Sequence, residues 1–112
     1  MGWRGLAAGA GVSAFVALVL WMRGGTAQAS DTVRYGAELF AVKGCVSCHR
    51  HAGVDAEWST EIGPALTAYS MDAEWLRQWL ANPSALRPDT KMPNLELAPH
   101  EIEALIAFLQ AD

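Results

Sequence analysis

Hydrophobic and polar positions divide this chain into three stretches. Residues 5–22, GLAAGAGVSAFVALVLWM, carry no charge and lie between Arg4 and Arg23. Eighteen helical residues rise about 27 Å, close to the ~30 Å apolar thickness of a bilayer. Trp3 and Trp21 sit near its ends, where aromatic side chains favour the membrane boundary. The pattern predicts a membrane anchor over residues 1–23. Residues 24–33, GGTAQASDTV, are small and polar without periodicity and read as a flexible linker. From residue 34 onward the apolar positions recur at helical spacing.

Three helices follow from that spacing. Val33, Tyr35, Leu39, Phe40 and Val42 predict a short amphipathic helix over 33–42, with Asp31 or Thr32 to cap it. Trp75, Leu76, Trp79 and Leu80 put one apolar face on 72–81, between the candidate cap Asp72 and the stop Asn82-Pro83. Ile102, Leu105, Ile106 and Leu109 form a stripe on 99–110 behind Pro99. Gly53, Gly63 and Pro64 mark 50–70 as loop, and Pro83, Pro88 and Pro93 mark 83–95 as a stiff extended loop. No segment alternates as a strand does. The fold class is all-α, with three or more short helices after one N-terminal transmembrane helix.

Charge narrows the partners. Residues 31–112 hold six basic side chains against twelve acidic ones, a net charge of −6. Such a domain is a poor match for nucleic acid or an anionic lipid surface. It is also small for a self-sufficient core and wants a staple.

Both cysteines and two of the three histidines lie within nine residues, KGCVSCHRH at 43–51. A disulfide across Cys45-x-x-Cys48 closes too small a loop to stabilise much. A redox dithiol belongs beside a βαβ unit, which is missing from the pattern. Zinc would need Cys45, Cys48, His49 and His51 from one short loop, whereas structural zinc draws its ligands from separated segments. The remaining reading is covalent haem. In C-x-x-C-H each sulfur adds to one vinyl group of the porphyrin, and the next residue, His49, lies under the ring as a proximal ligand to iron. The haem is then the staple.

With that motif in place, the chain resembles a class I, monohaem cytochrome c over roughly residues 34–110. The resemblance rests on YGAELFAVKGCVSCH, on IGPAL at 62–66, WLRQWLANP at 75–83, TKMPNLEL at 90–97 and the closing EIEALIAFL. It implies a cytochrome c domain over 34–112 holding one haem c through Cys45 and Cys48. It implies Met92 as the sixth ligand, a soft thioether in a loop where a buried packing methionine is out of place. It implies that the Pro64 carbonyl accepts a hydrogen bond from the proximal histidine. It also implies that Gly36 lets the first and last helices cross closely beside Phe40 and Phe108. Trp79 is expected against the haem, and Trp58 or Trp79 as a donor to a propionate. Ala98 stands where the family often has a capping Ser or Thr. The 27 residues between Pro64 and Met92 leave room for one helix, a compact arrangement.

An iron with both axial positions filled has no place for substrate. The expected role is therefore one-electron transfer, not enzymatic catalysis. The resemblance places the domain outside the bacterial inner membrane with the N-terminus cytoplasmic. Gly5-x-x-x-Gly9 and nearby alanines offer a close-packing face in the bilayer. A membrane redox complex is then the partner: a quinol-oxidising complex, a haem–copper oxidase or a photosynthetic reaction centre. The alternatives are a periplasmic shuttle released by cleavage after Ala29, and a haem enzyme or gas sensor with a labile sixth ligand.

Overall fold

The computed structural model describes residues 9–111, excepting the side chains of 9–14, 20, 22–24 and 26. Among the described residues four α-helices follow in order: α1 (Gly9–Val42), α2 (Ala73–Ala81), α3 (Pro83–Leu86) and α4 (Pro99–Leu109), with a 3-10 turn at Cys45–Ser47. No strand occurs among the described residues. The chain divides into two units, residues 1–31 and 32–112. Among the described residues no helix is long and apolar enough to cross a membrane. The anchor expected over 1–23 falls partly outside the described residues, which omit 1–8 and several side chains beyond.

The first correction concerns residues 24–33. They lie inside α1 and are helical instead of an irregular linker, so neither Asp31 nor Thr32 begins a helix. Residues 27–31 are all exposed. A helix with no packed face has no periodicity to read, and the helix-forming tendency of residues such as Ala27 and Ala29 is left to decide. The second correction concerns 83–95, expected to be extended throughout. Pro83 starts the single-turn α3, because its fixed φ suits a first helical position and its missing N–H costs nothing there.

In the unit of residues 32–112, the core is built from Leu39 and Phe40 of α1, Leu76 and Leu80 of α2, and the α4 side chains Ile102, Ala104, Leu105, Ile106, Phe108 and Leu109. The stripe expected on α4 is buried. On α1 the expected face is narrower: Val42 is 77 % exposed and Tyr35 39 %. The α1–α4 crossing needs Gly36. A methyl group built there would overlap the Ala104 carbonyl and come within 2.7 Å of Phe108 Cβ.

Polar contacts set the helix ends. Asp72 caps α2, its Oδ2 accepting from the Trp75 N–H at 3.0 Å. Ala98 has no side chain to cap α4, but Glu101 supplies the reciprocal bond, its Oε2 accepting from the Ala98 N–H at 2.9 Å. Glu101 Oε1 also pairs with Lys43 Nζ at 2.9 Å, tying the start of α4 to the end of α1. Arg77 joins α2 to α4 through Glu103, its Nη2 donating at 3.1 Å, and holds Glu74 on its own helix.

The Ala98 N–H first, and Lys43 next, hold the Glu101 carboxyl below its ordinary value. A depressed carboxyl pKa adds stability above the unfolded-state value, lost as pH falls through the folded one. Glu101→Gln is therefore expected to lower the thermal midpoint at neutral pH. The difference from the parent should shrink as pH falls through the lowered value of the native carboxyl, where it protonates. Thermal melts of both proteins across pH check this.

Candidate functional site

The end of α1 delivers the attachment segment. Gly44 takes a left-handed conformation, φ 83°, which a residue with a side chain adopts with difficulty, and the chain turns directly into Cys45–Ser47. Both cysteines are half-buried, and no disulfide joins them. Burial pushes the Cys45 thiol above its ordinary value.

Segment 59–66 is laced onto this turn, a feature that the sequence did not reveal. The Thr60 N–H donates to the Ser47 carbonyl at 2.9 Å, Gly63 N–H to Cys48 at 2.9 Å, and Leu66 N–H to Arg50 at 2.8 Å. The lacing brings Gly63 and Pro64 against His49. His49 Nδ1–H donates to the Pro64 carbonyl at 2.7 Å. A carbonyl can only accept, so the proton is on Nδ1 and Nε2 keeps its lone pair for a metal. Gly63 is the other side of the clamp, since a methyl group there would overlap the imidazole ring.

Met92 comes from the irregular loop after α3. Its N–H donates to Thr90 Oγ1 at 3.2 Å, and its sulfur accepts the Trp79 indole N–H at 3.0 Å. Trp79 stacks on Trp75, ring centroids 5.1 Å apart and planes 11° apart. The sequence offered Trp79 as a donor to a propionate; its N–H is instead turned to the thioether. Trp58 lies off the cavity and is 73 % exposed.

These side chains meet around one cavity of about 850 Å³. Cys45, Cys48, His49, Pro64, Trp79 and Met92 all line it, with the rest of its wall largely apolar, including Phe40, Leu76, Leu80, Leu105 and Leu109. The volume lies within the ~300–1,000 Å³ range of cofactor sites. His51 is elsewhere: it is buried with its ring 4.2 Å from that of Phe108 and 5.7 Å from that of Phe40, and its Nδ1 accepts the Gly53 N–H. A zinc site using all four residues of the 45–51 segment is thereby broken up. No group of three or more His, Cys, Asp or Glu side chains among the described residues is placed to hold a metal ion.

The sequence model of the cytochrome c family matches residues 33–111. The chain belongs to the cytochrome c family. No curated protein and no solved structure matches this cytochrome c. The cytochrome c domain binds haem c covalently, and Cys45, Cys48 and the following His49 are its attachment motif. The observed cavity suits that group: two thiols for the vinyl edge, a nitrogen lone pair held in one tautomer, a soft sulfur, and apolar walls for the macrocycle.

The clamp on His49 gives a direct test. Gly63→Ala must push the imidazole off its place and break the bond to Pro64. Overpacking of this kind costs about 1–3 kcal/mol. A lower yield of haem-loaded protein and a lower thermal midpoint are expected, whereas an unchanged yield and melt would show that the ring is not confined there.

Proposed function

We propose that this cytochrome c carries single electrons on an iron held axially by His49 and Met92, tethered to a bacterial inner-membrane redox complex. The family supplies the coarser part, an electron-transfer haem protein. The observation that carries the ligand assignment is the pair of restraints on the two side chains: Nδ1–H of His49 on the Pro64 carbonyl, and the Trp79 indole N–H on the Met92 sulfur. Each fixes a donor atom while leaving it a lone pair.

When bound, haem supplies a reversible one-electron couple. The chain supplies its surroundings. Pro64 holds the imidazole in one tautomer and orientation. Trp79 holds the thioether and draws electron density from it, which favours the reduced state. Leu76, Leu80, Leu105 and Leu109 keep the interior apolar. Were His49 and Met92 both to hold the iron, no position would remain for a substrate, which is why a carrier is favoured over an enzyme or gas sensor.

The tether rests on residues 5–22 and on α1, where Phe15, Val16, Leu18 and Trp21 are about half exposed or more, Trp21 at 81 %. Four large apolar side chains on one exposed stretch of helix call for a covering medium. A bilayer, with the N-terminus cytoplasmic and the haem domain outside, provides it.

Replacing Met92 by Ala should open the iron, so that the reduced variant binds carbon monoxide at neutral pH while the parent does not. Loss of the thioether–iron charge-transfer band should accompany it. Carbon monoxide binding by the parent would point to the sensor reading instead. For the tether, the full chain is expected in the membrane fraction at the mass of the unprocessed polypeptide plus one haem. A soluble product starting after Ala29 would identify a released shuttle.

A further inference from the structure

A carrier must pass its electron to groups outside the cavity, and α2 bears on where. Trp75 and Trp79 both line the cavity and stack, ring centroids 5.1 Å apart and planes 11° apart. The Trp79 N–H ends on the Met92 sulfur at 3.0 Å. The spacing is helical, since residues four apart share a face. Leu76 and Leu80, at the same spacing, are buried beside the two indoles and fix α2 to the core.

Packing accounts for two apolar rings set against a core. It does not by itself call for an unbroken chain of π-systems running from the sulfur to the surface. Trp75 is half-buried, and its neighbours Glu74 and Gln78 on α2 are exposed. The other proposed ligand has no such outlet: the His49 imidazole leads to the Pro64 carbonyl, and onward through saturated backbone. Electron tunnelling decays more slowly through bonded and stacked groups than across gaps, and delocalised rings carry it better than saturated chain.

We propose that Trp79 and Trp75 form a conduit through which the haem exchanges electrons with a partner docked over α2, by way of the Met92 sulfur. The proposal rests on Met92 as an axial ligand and adds the route. One electron moves in each event: the iron gives it up as a one-electron partner takes it, or the reverse. No proton moves, and the indoles bridge the two without changing their oxidation state.

The test is flash photolysis of the loaded full-length protein with a ruthenium photosensitiser bound at one surface histidine. Two label positions are compared. One is native His100, exposed at the start of α4, where the neighbouring Glu101 pairs with Lys43 beside the attachment turn. The other is Glu74→His in a His100→Asn background, next to Trp75. Trp79→Phe cannot donate to the sulfur, and Trp75→Leu removes one ring. Each should slow transfer from the Glu74→His label several-fold. Transfer from His100 should change only as far as the midpoint potential does, and a change in potential moves both labels together. Trp75→Phe keeps a smaller ring and should give an intermediate rate; it carries the comparison where another variant does not load haem. Ultraviolet resonance Raman spectra of the indole N–H should lose a hydrogen-bonded component in Trp79→Phe and keep it in Trp75→Phe. A parent without that component would overturn the conduit, and so would rates that fall in equal proportion from both labels or from neither. Carbon monoxide binding by the reduced parent would instead take Met92 off the iron, and with it the reading on which the conduit stands.

Discussion

One apolar cavity governs residues 32–112. Its wall draws on α1, α2, α4, the attachment turn and the loops after them, so each element gives part of its apolar face to the cavity and only the remainder to its neighbours. Leu76, Leu80, Leu105 and Leu109 serve both: they are core residues and they line the cavity. A domain this small buries a modest share of its surface on folding. A large apolar group fastened to the chain by two bonds completes the core without the entropy loss of recruiting a free ligand. Attachment and folding are thus coupled, and the short C-x-x-C-H segment sets the position of everything packed around it.

The polar contacts follow from that coupling. Loops 50–70 and 87–95 have little regular structure, yet they supply Pro64 and Thr90, which restrain His49 and Met92. Backbone bonds from Thr60, Gly63 and Leu66 turn the first of these loops into a fixed wall behind His49. In the second, Thr90 and Trp79 bracket Met92 from its backbone and its sulfur. The Lys43–Glu101–Ala98 chain of contacts links the end of α1 to the start of α4 beside the attachment turn. These cavity-lining side chains are therefore restrained from outside the cavity.

What could be read from the sequence was what depends on local pattern. α2 and α4 follow from apolar spacing with Asp72, Pro83 and Pro99 as boundaries, and the haem site follows from the spacing of Cys45, Cys48 and His49. What could not be read depends on contacts distant in sequence or on their absence. Residues 27–31 are helical with no packed face, so periodicity was silent there. Val42 sits at an apolar position of the pattern yet is exposed, because α1 ends there and the chain turns at Gly44. His51, two residues from His49, looked like one more polar residue of the attachment loop, but two phenylalanines from different helices enclose it.

Trp79 shows best why residue type alone underdetermines a role. An indole N–H near a haem has two kinds of acceptor to choose from, a carboxylate at the edge or a thioether on the face. The carboxylate is the stronger acceptor, so chemistry favours it. Geometry decides otherwise: Trp79 lies one helical turn beyond Trp75 and stacks on it, and that stack directs the N–H to Met92. A weak acceptor is served by a donor with no better option in reach. Because the indole is held by packing, its direction toward the sulfur is set by the fold of α2. An electron carrier works fastest when little around the metal moves between its two states. On the proposed ligation by His49 and Met92, that requirement would be met by the fixed neighbours of each.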